Sequence, residues 1–164
     1  GCHIGEYSKV GGEISNSIIQ GYSNKAHEGF LGTSYIGRWC NLGAGTNVSN
    51  LKNNYGTIHV WNQGEMIDSG LQFQGLIMGD HCKTAIGTRF NTGTVVDTAA
   101  NIFCPDFPPK YIPAFNWGGD DPKLLYAIDK FLETASIVLK RKGLSLNDAE
   151  INALKSLHKN QEKY

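Results

Sequence analysis

An apolar residue returns at every sixth position along much of this chain, and that period leaves few folds open to it. Stepping from Met78 gives Met78, Thr84, Phe90, Val96 and Ile102. The residues that follow them are Gly79, Ala85, Asn91, Asp97 and Phe103, mostly small or turn-forming. Four residues after each of the first four starts come Cys82, Thr88, Thr94 and Ala100, all small. A second run keeps the same step through Phe30, Ile36, Leu42 and Val48, with Ser34, Cys40 and Thr46 in its small slots. A third, shorter run opens the chain with Ile4-Gly5 and Val10-Gly11.

A unit of six residues is one short strand and one turn, and three such units close one coil of a triangular prism. The apolar residue then points inward and meets its counterpart one coil away. The small residue takes the tight corner. One coil cannot bury its own face, so stacking supplies the core. The period therefore predicts a mainly β chain, a left-handed parallel β-helix of hexapeptide repeats over residues 1–104. Glycine, at 20 of 164 residues against an average near 7 %, relieves backbone strain at the turns.

Two stretches break the period. Val10 to Phe30 is not a multiple of six, which reads as an irregular segment from Ile14 to Gly29. Between Val48 and Met78, Thr57–Trp61 and Glu65–Asp68 flank Asn62-Gln63-Gly64 with a period of two. That predicts a β-hairpin protruding from a prism corner within a loop over 51–77. Residues 105–164 read as an irregular, proline-containing segment followed by two helices. Asp121 and Pro122 suit an N-cap and first helical position, ahead of a stripe of Leu125, Ile128, Leu132, Ala135 and Leu139 that ends at Gly143. Ser145 with Asp148 suggests a capping box for the second helix.

Lys and Arg together number 15, as do Asp and Glu, so the formal net charge is zero. A dominant role on nucleic acid or an anionic membrane would need a basic surplus. No apolar run nears the ~20 residues that span a bilayer. The cysteines Cys2, Cys40, Cys82 and Cys104 form no C-x-x-C pair and match no zinc spacing. With no secretory signal visible, they read as free, mostly buried thiols in a reducing, cytoplasmic compartment, with no metal site. His3, His59, His81 and His158 read as solvent-exposed histidines without a role.

The segment Asn24-Lys25-Ala26-His27, then Asn41-Leu42-Gly43-Ala44-Gly45-Thr46, then Asn50, resembles the C-terminal acetyltransferase domain of the bifunctional GlcNAc-1-phosphate uridylyltransferases and their archaeal sugar-1-phosphate relatives. The resemblance covers about residues 1–104. It implies an acyltransferase that uses acetyl-CoA to acetylate an amino-sugar phosphate such as glucosamine 1-phosphate, assembled as a homotrimer, with a nucleotidyltransferase domain upstream. It implies His27 as general base, Asn50 as the group that positions the amine, and the Ala44 N–H as the oxyanion donor. Asn41, with Lys25, Phe30 and Lys52, falls among sugar-phosphate-contacting positions. Ile86 and Cys104, together with Ala44, fall where the family's backbone meets the CoA arm.

The sequence also departs from that pattern. An aromatic hydroxyl of the family falls at Phe30, which has none. A phosphate-binding lysine falls near Ser15, and Lys52 replaces another only with altered spacing. The alternative for Asn41 and Asn50 is that they simply cap turns, where Asn is the favoured non-glycine residue. The acetyl-CoA half of the site is therefore better represented than the sugar-phosphate half. The alternative is a non-catalytic domain that trimerises and senses ligands for an attached sugar-1-phosphate nucleotidyltransferase.

Overall fold

In the computed structural model, which describes residues 1–161, parallel strands of two or three residues stack into the three faces of a left-handed β-helix. Two faces carry six strands each and the third carries four. Strand neighbours point to opposite sides of a sheet, so each face has one inward column and one outward column. On the first face the inward column is Ile4, Ile19, Ile36, Met78, Val96 and Ile112. On the third it is Ile14, Leu31, Val48 and Phe90. Above the first coil these side chains merge into one buried core, completed at the corners by Cys40, Cys82 and Ala100. In the first coil Ile4 and Val10 are exposed.

The register corrects the expected phase near the start. Phe30 pairs with Glu13, and Leu31 is the inward residue, stacked between Ile14 and Val48. Nor is 14–29 irregular. It holds the strands Ile18–Ile19 and Asn24–Lys25, paired coil to coil like the rest. The strict period fails there because the early coils are short. Val10 stands 15 residues from its partner Lys25, and Leu31 stands 17 from Val48, whereas Met78 stands 18 from Val96.

The coils also run past Cys104. The strands Tyr111–Ile112 and Trp117–Gly118 extend the first two faces by one strand each. Residues 103–110 take the place of a third-face strand. The hairpin pairs His59–Asn62 with Glu65–Asp68 in antiparallel register. It closes on Gln63 and Gly64, both with positive φ, the two-residue turn that matches strand twist. At its base Ile58 is fully buried, and Trp61 stacks on the outward Tyr111 ring at 4.7 Å.

Helices α1 (Ile128–Lys140) and α2 (Asp148–Gln161) follow. Asp121 does not cap α1; it accepts the Lys123 N–H in a turn, while Leu125 bridges to Asn116. The helix opens at Ala127 with no side-chain cap. Gly143, at φ 71, ends it as expected, with the Leu144 N–H donating back to the Leu139 carbonyl. The box on α2 is Asn147 with Glu150, which exchange backbone-to-side-chain bonds of 2.8 and 2.9 Å. Ser145 and Asp148 do not form it.

These helices cover the corner between the first and second faces. One residue per coil turns that corner in the left-handed region: Tyr7, Tyr22, Trp39, His81, Ala99 and Phe115, with φ between 55 and 64. Bulky residues rarely adopt it. Here the rings stack on one another, Tyr7 on Tyr22 at 5.1 Å, Tyr22 on Trp39 at 4.2 Å and Trp39 on His81 at 6.4 Å. Ala99 leaves a gap in the column. Phe131 of α1 packs there, edge-on to His81 at 5.6 Å and to Phe115 at 5.1 Å. Two histidines expected at the surface are therefore packed. Burial pushes the His81 imidazole pKa down to about 4. His158 is buried against Phe115, its Nε2 2.9 Å from the Tyr126 carbonyl. His3 and His59 are exposed.

Candidate functional site

The corner between the second and third faces is built the opposite way. Its left-handed positions are glycines, among them Gly29 at φ 115 and Gly45 at φ 69. A Cβ on Gly29 would stand 2.2 Å from the Thr46 carbonyl oxygen, so backbone rests directly on backbone. Threonine hydroxyls tie the corner from within: Thr46 donates to the Gly43 carbonyl at 2.7 Å, and Thr88 to the Ala85 carbonyl at 2.9 Å.

Beside this corner lies a cleft of about 420 Å³, lined by Lys9, Asn24, Ala26, His27, Asn41, Leu42, Gly43, Ala44 and Ile86. Lys9, Asn24 and Asn41 pair across adjacent strands and form one outward column of the second face. His27 sits on the corner that follows Asn24–Lys25, and Ala44 on the same corner one coil further along. The Ala44 carbonyl accepts the Gly87 N–H at 2.7 Å; its own N–H has no backbone acceptor among the described residues. Ile86, 79 % exposed, also lines a second cleft of about 210 Å³ that includes Arg89, Cys104 and Asp106. The two clefts lie along the same corner, and Ile86 lines both. The Cys104 N–H is taken, donating to the Gly118 carbonyl at 2.9 Å. Burial pushes the Cys104 thiol pKa up, and Asp120 adds to that.

Other expected site residues lie elsewhere. Asn50 stands at the far edge of the third face, where its Nδ2 donates to Thr33 Oγ1 at 3.2 Å. Phe30 lines a separate cleft on that face, with Asn47, Arg89 and Phe107, and its N–H donates to Asn47 Oδ1 at 2.9 Å. Lys52 donates to the Thr57 carbonyl at the hairpin's base. Lys25 is corrected outright: it is 2 % exposed and points into the prism. Its Nζ donates to the Gly11, His27 and Glu28 carbonyls at 3.1, 2.9 and 3.3 Å. Burial lowers its pKa, opposed by the Glu28 carboxylate. It cannot reach a sugar phosphate.

Lys9 and Asn24 are the cleft residues that were not singled out in the sequence. For Lys9 the signal was present, because it directly precedes the apolar Val10 and strand alternation turns it outward; Asn24 precedes a lysine, which gives no such sign. Among the described residues no three metal-binding side chains cluster, and no helix is long and apolar enough to cross a membrane.

No protein-family model matches the chain. It is 31 % identical over 100 residues to a bifunctional sugar-1-phosphate nucleotidylyltransferase/acetyltransferase of Sulfurisphaera tokodaii, a match covering 60 % of this chain and 25 % of that protein. It is 33 % identical over 84 residues to the bifunctional protein GlmU of Methanocaldococcus jannaschii, covering 51 % of this chain and 20 % of the relative. A GlmU of Methanococcus aeolicus matches to the same extent at 34 %. The chain therefore spans a quarter or less of the length of these curated relatives. Its homologues are bifunctional sugar-1-phosphate nucleotidyltransferase/acetyltransferases, matched over about half of the chain, and its left-handed β-helix agrees with the domain that its motifs resemble.

Proposed function

We propose that this chain is an acetyl-CoA-dependent acetyltransferase domain acting on an amino-sugar phosphate. The observation that carries the reading is the shared cleft: His27, Asn41, Ala44 and Ile86 line it together, and Ile86 also lines the neighbouring cleft that holds Cys104. In this reading acetyl-CoA lies along the groove with its thioester carbonyl at the Ala44 N–H. The sugar amine attacks that carbonyl while the His27 imidazole takes a proton from the nitrogen. The Ala44 N–H donates to the oxyanion that forms. The C–S bond then breaks, and CoA leaves as the thiol with a proton returned to sulfur. Asn41 holds the sugar. Lys9, in the same outward column, supplies the cation for the phosphate that Ser15 and Phe30 do not. Asn50 and Phe30 are away from the His27 cleft, and a homotrimer is the arrangement in which a neighbouring copy brings such groups to it.

The test is thiol release from acetyl-CoA with glucosamine 1-phosphate, then with other amino sugars. His27→Ala should lower turnover by about 10²–10⁴-fold, the range for loss of a general base. The KM for acetyl-CoA should barely change, because the groove is largely backbone. Release that is indifferent to His27→Ala would show that the family's chemistry was wrongly carried over and remove His27 as the base. A monomer by light scattering at micromolar concentration would remove the trimer. The engaged Lys52 and buried Lys25 favour the non-catalytic alternative. Absence of both acetyl-CoA binding by calorimetry and thiol release would favour that alternative instead.

A further inference from the structure

Lys25 occupies an inward position of the second face. The coil below places Val10 there, and the coils above place Leu42, Thr84 and Ile102. Lys25 is the only cation in this column. The corner it serves explains why. In the first coil Gly11, Gly12 and Glu13 alone separate the inward Val10 and Ile14. In the second, the five residues from Ala26 to Phe30 separate Lys25 from Leu31. The longer corner overhangs the shorter one, and the two backbones are already in close approach. A Cβ on Gly11 would stand 2.4 Å from the Ala26 carbonyl oxygen, and one on Gly12 would stand 3.0 Å from that of His27.

In the coils above, Thr46 and Thr88 tie the matching corner with their hydroxyls. The register that stacks Leu31 on Val48 puts Gly29 in the place of Thr46, so the His27 corner has no such hydroxyl. The three N–H donors of Lys25 do that work from inside, one each to the Gly11, His27 and Glu28 carbonyls. An ammonium offers three donors, and all three are used. Leaving any of them unpaired in the interior is costly, which holds the head group in one place.

We propose that Lys25 is a positioning residue: from within the prism it clamps the His27 and Glu28 carbonyls and so fixes the angle at which the His27 imidazole enters the cleft. The inference rests on the reading of His27 as the general base. The test uses Lys25→Met, which fills the space without donors, and Lys25→Gln, which keeps two donors. Both are assayed well below their melting temperatures. With the corner loosened, kcat should fall about tenfold to a hundredfold in Lys25→Met, the scale of a misplacement near 1 Å. The KM for acetyl-CoA should hold, and Lys25→Gln should lose less. The second readout needs no activity. The His27 imidazole signal in the histidine NMR spectrum, assigned by its loss in His27→Gln, should shift or broaden in Lys25→Met. A folded Lys25→Met with wild-type kcat and an unchanged His27 signal would overturn the clamp. If Lys25→Met does not fold, the same two readouts on Lys25→Gln decide. If the wild type itself releases no thiol, the acetyltransferase reading fails, and the NMR readout alone decides whether Lys25 holds His27.

Discussion

Two corners of this prism meet the same backbone demand, a left-handed residue in each coil, with opposite chemistry. The corner between the first and second faces uses Tyr7, Tyr22, Trp39 and His81, and stacking of their rings offsets the strain. The corner between the second and third faces uses Gly29, Gly45 and Gly87 and has no side chains to stack. The aromatic corner recruits α1 and α2, which cover it. The glycine corner stays open, and its bare backbone leaves a groove with His27 at its edge. Side chains at a turn thus decide whether a corner becomes core or site. The first corner holds the fold together, and the second is free to take a ligand.

The largest expected effect breaks the covered corner. Phe131 is 1 % exposed and fills the place that Ala99 leaves open. Phe131→Ala should cost about 3–5 kcal/mol, as for aromatic truncation in a core, measured by urea unfolding. Turnover at 20 °C should not change, because Phe131 lies away from the groove. A matching loss of kcat in the folded variant would show that the two corners are coupled.

Gly29→Ala attacks the open corner. The new Cβ meets the Thr46 carbonyl at 2.2 Å in a left-handed backbone. Strain of this kind costs about 1–3 kcal/mol, with a further cost for the clash. Here stability and turnover should fall together, since Gly29 lies two residues from His27. A drop in melting temperature with kcat intact would mean that this corner, too, is only scaffold.

Most of this contrast could be read in part from the sequence. The inward columns from Leu42 onward follow the six-residue step, because those coils keep 18 residues or carry one long insertion. His27, Asn41, Ala44, Ile86 and Cys104 follow from the family resemblance and not from the period; the first four line one cleft, and Cys104 lines the neighbouring one that Ile86 also borders. The aromatic column does not: its members are 15, 17 and 42 residues apart, so no fixed period connects them. Lys25 escaped because charge marks a residue as external, and only its three carbonyl acceptors make an internal lysine tolerable. The positions of Asn50 and Lys52 depend on where the third face and the hairpin end, which no local pattern specifies.

A smaller effect sharpens the comparison through pH. His81 lies between Trp39 and Phe131, with Lys83, Asp80 and Glu150 nearby. Burial, aided by Lys83, lowers its pKa from 6.5 to about 4, while Asp80 and Glu150 oppose the shift. The folded state therefore binds fewer protons than the unfolded chain between those values. Stability should be fully present above pH 6.5, fall as pH drops towards 4, and level off below. The change is on the order of 2–3 kcal/mol after allowance for partial solvent access. Unfolding midpoints at pH 7.5 and 5.0 measure it. His81→Phe, which keeps a ring in the stack, should remove most of the slope; an unaltered slope would assign it to other groups.

The smallest effect concerns the open corner's charge. Lys9 shares the outward column with Asn24 and Asn41 and faces the His27 cleft. It is solvent-exposed, so its attraction for a sugar phosphate is screened and worth about 1 kcal/mol or less. Lys9→Ala should therefore raise the KM for a phosphorylated amino sugar by roughly three- to fivefold. It should leave kcat and the acetyl-CoA KM alone, because Lys9 lies apart from the proposed base His27 and the proposed oxyanion donor Ala44. Two controls give the result its meaning. The same substitution should not affect an unphosphorylated amino sugar, which offers no anion. The difference between variant and wild type should also shrink at 0.5 M salt, where charges are screened within about 4–5 Å. Equal losses on both acceptors would make Lys9 a shape contact and leave the phosphate without a partner in this chain. The cation would then have to come from a neighbouring copy, and the open corner would be half of a site.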